Sequence, residues 1–126
     1  MVNPIVYCPD GALITFQGDV TAEEVISANK TLLSHSEFNT QRFAIWDYRD
    51  VESISYDKVQ IISLATEDNR ESWKNPNRQI ALVTQKPLFF GLARMYEAYY
   101  GDGPWDIKVF YSMDEAVGWV GCSDFS

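Results

Sequence analysis

The chain has 126 residues, 46% of them hydrophobic and 14% aromatic, and a formal net charge of −8 from 18 acidic and 10 basic side chains. That length suffices for one domain with a real core, expected to span residues 1–126. Lys and Arg are nowhere clustered, which argues against nucleic acid as a partner and against electrostatic docking on anionic lipid.

The opening Met1-Val-Asn-Pro-Ile5 lacks the basic segment and long apolar run of a signal peptide, and no run approaches the roughly 18 residues of a membrane span. A cytoplasmic location without a transmembrane segment is the expectation. Cys8 and Cys122 read as two isolated thiols without metal-ligand spacing, and His35 is the only histidine. Neither a zinc site nor a histidine-based triad has enough ligands, so no metal and no cofactor are expected.

In chain order, Ile5 to Cys8 and Ala12 to Gln17 form β-rich runs around Pro9-Asp10-Gly11, a hairpin signal in which Gly supplies a positive φ. Gly18-Asp-Val-Thr21 leads into a helix that Thr21 and Glu24 cap as a box, with Ala22, Val25, Ile26, Leu32 and Leu33 on one face. The sequon at Asn29 has no route to glycosylation in a cytoplasmic chain. Phe43 to Asp47 reads as a buried strand followed by a short polar loop. A second helix spans about Asp57 to Ser72, with Ile61, Ile62 and Ala65 inward, and Asn75-Pro-Asn77 breaks it. Gln79 to Thr84 is a short apolar strand. Pro87 suits the first turn of a third helix running to about Tyr100, which Gly101 ends through a left-handed cap. Ile107 to Tyr111 is the last strand, and Ser112 with Glu115 caps a short helix carrying Met113, Ala116, Val117 and Val120. A hairpin followed by alternating helix and strand implies an α/β fold: a mixed, mainly parallel five-stranded sheet with about four helices and an antiparallel edge.

This layout resembles the STAS domain, the module of sulfate transporters and anti-sigma-factor antagonists, and several segments resemble its SpoIIAA-like branch. They are Gly18-Asp-Val-Thr21, Ile45-Trp-Asp-Tyr-Arg-Asp50, Ile80-Ala-Leu-Val83 with Phe90-Gly-Leu-Ala-Arg-Met-Tyr-Glu97, and Val109-Phe110 with Asp114-Glu-Ala-Val-Gly-Trp119. The resemblance implies a non-enzymatic regulatory or binding module. In anti-sigma-factor antagonists a kinase modifies a Ser of an Asp-Ser-Ser-Gly loop after the central strand, and the added charge of about −2 changes partner affinity. Here Tyr56 and Asp57 stand over that motif, while Ser53 and Ser55 are hydroxyls out of register. The branch is also linked, by analogy with lipid-binding CRAL-TRIO folds, to apolar ligands and membrane association, which keeps peripheral membrane contact open.

Two groups of residues are candidates for function. The first is the strand-end segment equivalent to the switch loop: Asp47, Asp50, Ser53, Ser55 and Tyr56. Its carboxylates, with Glu52, could hold Mg²⁺, but Arg49 stands among them as an ion-pair partner. Ser55 precedes a helix and reads as an N-cap. His35 reads as a cap at the end of the first helix. The second group lies on the third helix, whose apolar stripe from Leu88 to Tyr100 is wider than a core-facing helix needs. Phe89, Phe90, Tyr96 and Tyr100, with Arg94 for an acidic head group and Trp105 and Trp73 beside them, are expected to line a hydrophobic groove or a homodimer interface. The resulting expectation is a non-catalytic STAS-like module for an apolar small molecule or a protein partner. The alternatives are a phosphorylation-controlled antagonist-type regulator and an acidic metal-dependent enzyme using Asp47 and Asp50.

Overall fold

The structure is a computed structural model that describes residues 5–122 and Phe125. One five-stranded sheet has the order β1-β2-β3-β4-β5, with β1 (Ile5–Cys8) antiparallel to β2 (Gly11–Thr21). The remaining pairs, through β3 (Phe43–Ser55), β4 (Gln79–Val83) and β5 (Asp106–Phe110), are all parallel. Four α-helices are present among the described residues: α1 (Ala22–Leu33), α2 (Lys58–Ser72), α3 (Pro87–Tyr100) and α4 (Met113–Val120). The expected α/β architecture is therefore present, element by element.

Because each parallel crossover moves one strand further in the same direction, right-handed connections place α1, α2 and α3 on one face of the sheet. The pleat then sorts side chains between two cores. Ala44 and Trp46 of β3, and Ile80 and Leu82 of β4, pack with Val25, Ala65 and Phe89 of the three helices. Their neighbours Phe43, Ile45, Ala81 and Val83 pack with Ala116, Val117 and Val120 of α4 on the other face.

Two strands are longer than the sequence suggests, and this relocates the first candidate group. Strand β3 does not stop at Asp47 but continues to Ser55, paired with an equally extended β2. Between Thr15↔Asp47 and Gln17↔Asp50, and again between Gly18↔Val51 and Asp19↔Ser53, β3 spends one residue more than β2. These bulges break the period-two alternation by which a strand is recognised. Gly18, with φ at 72°, takes up a backbone conformation at this site that residues with a Cβ rarely adopt. Asp50, Ser53 and Ser55 therefore belong to a strand, not to a loop.

Smaller expectations are also revised. Gly11 has no positive φ, and the hairpin turns on Pro9 and Asp10. Glycine is needed at position 11 because a Cβ there would meet the Phe43 ring at 2.3 Å. Helix α2 is capped by Asp57, not Ser55. Its side chain accepts from the Gln60 backbone while the Gln60 side chain accepts from the Asp57 backbone, a complete capping box. Thr21 and Ser112 cap α1 and α4 as expected. Gly101 does have a positive φ, but with ψ at −133° it is not the left-handed helical cap.

Candidate ligand cavity

The layer of α1, α2 and α3 does not fill the space it covers. Between β3 and β4 on one side and α1, α2 and α3 on the other lies a cavity of about 60 Å³, within a recess of about 650 Å³ that includes its open mouth. Trp46, Ile80 and Leu82 form its floor, while Phe89, Leu92, Ala93 and Tyr96 of α3 and Ile61 and Leu64 of α2 form its walls. The floor follows from the strand pleat: these are the helix-facing positions of β3 and β4. The bulged extension of β3 contributes Tyr48 and Ile54, and Tyr56 follows from the connection to α2.

One polar cluster interrupts this apolar lining. Asp68 is buried on α2, and its carboxylate accepts a hydrogen bond from Asn29 Nδ2 of α1 at 2.8 Å and another from the Tyr96 hydroxyl of α3. Burial raises the Asp68 pKa to about 6, against the lowering influence of the Tyr96 and Asn29 hydrogen bonds and of nearby Arg78. Burial also lifts Tyr56 to about 12, and both Tyr48 and Tyr96 well above the ordinary tyrosine value. All three phenols are neutral near pH 7.

Beside the cavity, Arg78 stands just ahead of β4 with its guanidinium 4.8 Å from the Phe38 ring centre and 4.7 Å from that of Trp105. It is buried, and its Nε and Nη2 have no hydrogen-bond partner among the described residues. Burial lowers its pKa to about 10. Asn75 braces this corner by donating to the Phe38 and Gln41 carbonyls, and its own carbonyl accepts from Trp105 Nε1 at 2.8 Å.

The structure divides the expected groove. Phe89 and Tyr96 line the cavity, and Tyr56 from the other candidate group joins them there. Tyr100 and Trp105 are buried next door, stacked with ring centres 6.0 Å apart, and the Tyr100 hydroxyl accepts from the Trp105 backbone. Trp105 is thus core rather than rim. Phe90 and Arg94 lie outside the cavity: Phe90 stacks on Tyr111, and Arg94 sits over the Phe90 ring and beside Glu97. Trp73, Leu88 and Tyr99 are exposed. The breadth of the α3 stripe thus reflects several separate packing environments, not one continuous groove.

The strand segment shows no converging chemistry. Asp47 is buried and clamped by Arg49 in a bidentate pair at 2.9 and 3.0 Å, and it also accepts the Arg49 backbone N–H. Asp50 is exposed, as are Ser53 and Ser55, and Ser53 Oγ donates to Asp19 at 2.7 Å. Among the described residues no group of three His, Cys, Asp or Glu side chains could hold a metal ion. His35 donates its backbone N–H to the Leu32 carbonyl at the end of α1, while its Nδ1 accepts the Glu37 backbone N–H and its ring stacks on Tyr7. Cys8 and Cys122 are not isolated either. Their Sγ atoms lie 3.6 Å apart as free thiols, joining the edge strand to the end of α4.

Sequence reasoning missed Asn29, Asp68 and Arg78. A signal for Asp68 exists: Ile61, Ala65, Asp68 and Ser72 share the buried face of α2, and a carboxylate on such a face requires donors. Asn29 likewise follows Val25 by one helical turn on the buried face of α1.

No protein-family model matches this sequence, and no curated protein matches it. Solved structures do. The unphosphorylated anti-sigma factor antagonist SpoIIAA superposes with a TM-score of 0.62 at 13% identity, over 95% of this chain and 98% of that one. The phosphorylated form of the Bacillus cell fate determinant SpoIIAA gives 0.61 at 16%, over 94% and 99%. An uncharacterized protein of the DUF3478 family with a SpoIIAA-like fold, from Shewanella loihica PV-4, gives 0.53 at 17%, over 94% and 92%. The chain therefore has a STAS/SpoIIAA-like fold, and identities this low speak for the fold alone. Among the described residues no helix is long and apolar enough to cross a membrane.

Proposed function

We propose that this protein is a non-catalytic STAS/SpoIIAA-like binding module that holds an apolar small molecule in the cavity between its sheet and its three-helix layer. The observation that carries this reading is the cavity itself: a largely apolar, aromatic-rich recess with a buried carboxylate in its lining, where a core would ordinarily close. A ligand there covers apolar surface that otherwise faces water, at roughly 25 cal/mol per Å². Catalysis has no comparable support. The hydroxyls and carboxylates of β3 either have ion-pair and hydrogen-bond partners, as in the Asp47–Arg49 and Ser53–Asp19 pairs, or face solvent.

The test uses 1-hexanol as a neutral apolar probe, followed by ¹H–¹⁵N correlation spectra. Saturable shifts are expected at the Trp46 indole and at the amides of Leu92 and Ala93. Ala93→Leu, which narrows the cavity with a branched alkyl group, is expected to keep the fold and weaken those shifts. Shifts confined to the outer surface around Phe90 and Tyr111 would contradict the assignment.

Phosphorylation control is a second reading, favoured by one observation: Ser53 and Ser55 are exposed on the extended β3 of a fold shared with SpoIIAA, which is described in a phosphorylated form. The strand setting argues against it. Ser55 is paired opposite Thr21 in the β2–β3 ladder. Protein partnership, homodimer formation and peripheral membrane contact are left to the outer surface, away from the cavity.

A further inference from the structure

We propose that the cavity selects an organic ammonium ion, with a compact cationic head seated against the Asp68 carboxylate among aromatic side chains and an apolar body reaching the mouth. This rests on the cavity-binding reading and adds the chemical class of its ligand.

Four observations carry the inference. First, among the described residues the only charged one in the cavity lining is acidic. Arg94, the cation expected to meet an acidic head group, lies outside it beside Glu97. Second, the Asp68 oxygens each accept one hydrogen bond from a neutral donor, which leaves acceptor capacity on each for a charged one. Arg78 makes no hydrogen bond to Asp68 and is instead held between two rings. Third, the lining includes Trp46, Tyr48, Tyr56, Phe89 and Tyr96. An alkylammonium ion is attracted to aromatic faces through their quadrupoles, and most strongly where water is excluded. Fourth, the cavity volume of about 60 Å³ is well below the roughly 150 Å³ of a cavity that admits benzene. The buried moiety is therefore small, as an ammonium head is, and the bulk of the ligand lies toward the mouth. The net charge of −8 further concentrates cations around the molecule.

The groups around Asp68 that influence its titration come from several elements: Tyr96 from α3, Asn29 from α1, Arg78 from the segment before β4 and Glu67 on α2 itself, while Asp68 in turn acts on Tyr48 of β3. Arg78 is the one cation among them.

Three probes with one tail separate the alternatives: hexylammonium, 1-hexanol and hexanoate, measured by isothermal titration calorimetry at about pH 7.5. Hexylammonium is expected to bind at least ~10-fold more tightly than hexanoate and more tightly than 1-hexanol, a modest difference for a desolvated ion pair. Asp68→Asn is expected to remove the ammonium preference while 1-hexanol still binds. If that variant fails to fold by circular dichroism, the wild type decides. Between about pH 7.5 and about pH 5 its affinity for hexylammonium should fall at least ~5-fold as Asp68 takes up a proton, with 1-hexanol unaffected. Hexanoate binding as tightly as hexylammonium, or an ammonium preference that survives both Asp68→Asn and acidification, would overturn the inference. If 1-hexanol binds and hexylammonium gains nothing, the ammonium assignment alone fails. If none of the three binds, the cavity-binding reading fails with it.

Discussion

Asp68 couples the cavity to pH through folding as well as through binding. Burial holds its pKa at about 6 in the folded protein, above the ordinary carboxylate value that it regains on unfolding. The unfolded chain therefore gives up this proton more readily, and the ionised group weakens folding above about pH 6. That cost is relieved as pH falls through about 6 toward the unfolded value. It amounts to at most about 3 kcal/mol for a shift of about two pKa units. Asp68→Asn keeps the shape of the side chain and removes the titration. Relative to this variant, the wild type is expected to gain stability between about pH 7.5 and about pH 5, read as the difference in urea midpoints so that other carboxylates cancel. A constant difference would mean that Asp68 has the same pKa folded and unfolded. The sequence held the cue to this residue in the spacing of Ile61, Ala65, Asp68 and Ser72, but its donors lie far off in the chain. Asn29 comes 39 residues earlier and Tyr96 28 later. Periodicity within one helix cannot show which distant residue completes a buried hydrogen bond.

The elements themselves were mostly legible, because local rules set them. Thr21 and Ser112 announce the starts of α1 and α4, and Pro87 sits in the first turn of α3. What escaped was the second half of β3. From Tyr48 to Ser55 its alternation is broken by two bulges, so a strand pattern dissolves into what reads as a polar loop. Gly18 is the residue of β2 that accommodates this irregular pairing. Gly18→Ala has open space for its Cβ but must hold φ at 72°. It is therefore expected to destabilise the protein by about 1–2 kcal/mol in urea unfolding. Gly91→Ala provides the contrast. It lies inside α3 with open space around its Cβ and no positive φ, so it should stabilise by about 0.5–1 kcal/mol. Equal effects of the two substitutions would show that the bulge makes no special demand on Gly18. Because Tyr48 and Ile54 lie on that extension, the bulges also shape the cavity wall.

For the molecule as a whole, the arrangement of three helices over one face of the sheet and α4 over the other creates the opportunity for a site. The α4 face closes around Phe43, Ile45 and Val83, whereas the three-helix face leaves a gap over Trp46 and Leu82. Sequence reasoning singled out α3, because its apolar surface exceeds what one sheet face requires. The pattern within a helix does not reveal whether spare aromatic surface turns outward to a partner or inward around a void. Phe90 turned outward onto Tyr111, while Phe89 and Tyr96 turned inward. The central claim is that the inward void is a binding site, and native mass spectrometry of gently purified protein tests it most directly. The expected spectrum shows the chain carrying a discrete small-molecule mass that is released on denaturation and is reduced in Ala93→Leu. Wild-type protein that carries no such mass, or an adduct that Ala93→Leu retains in full, would contradict the account.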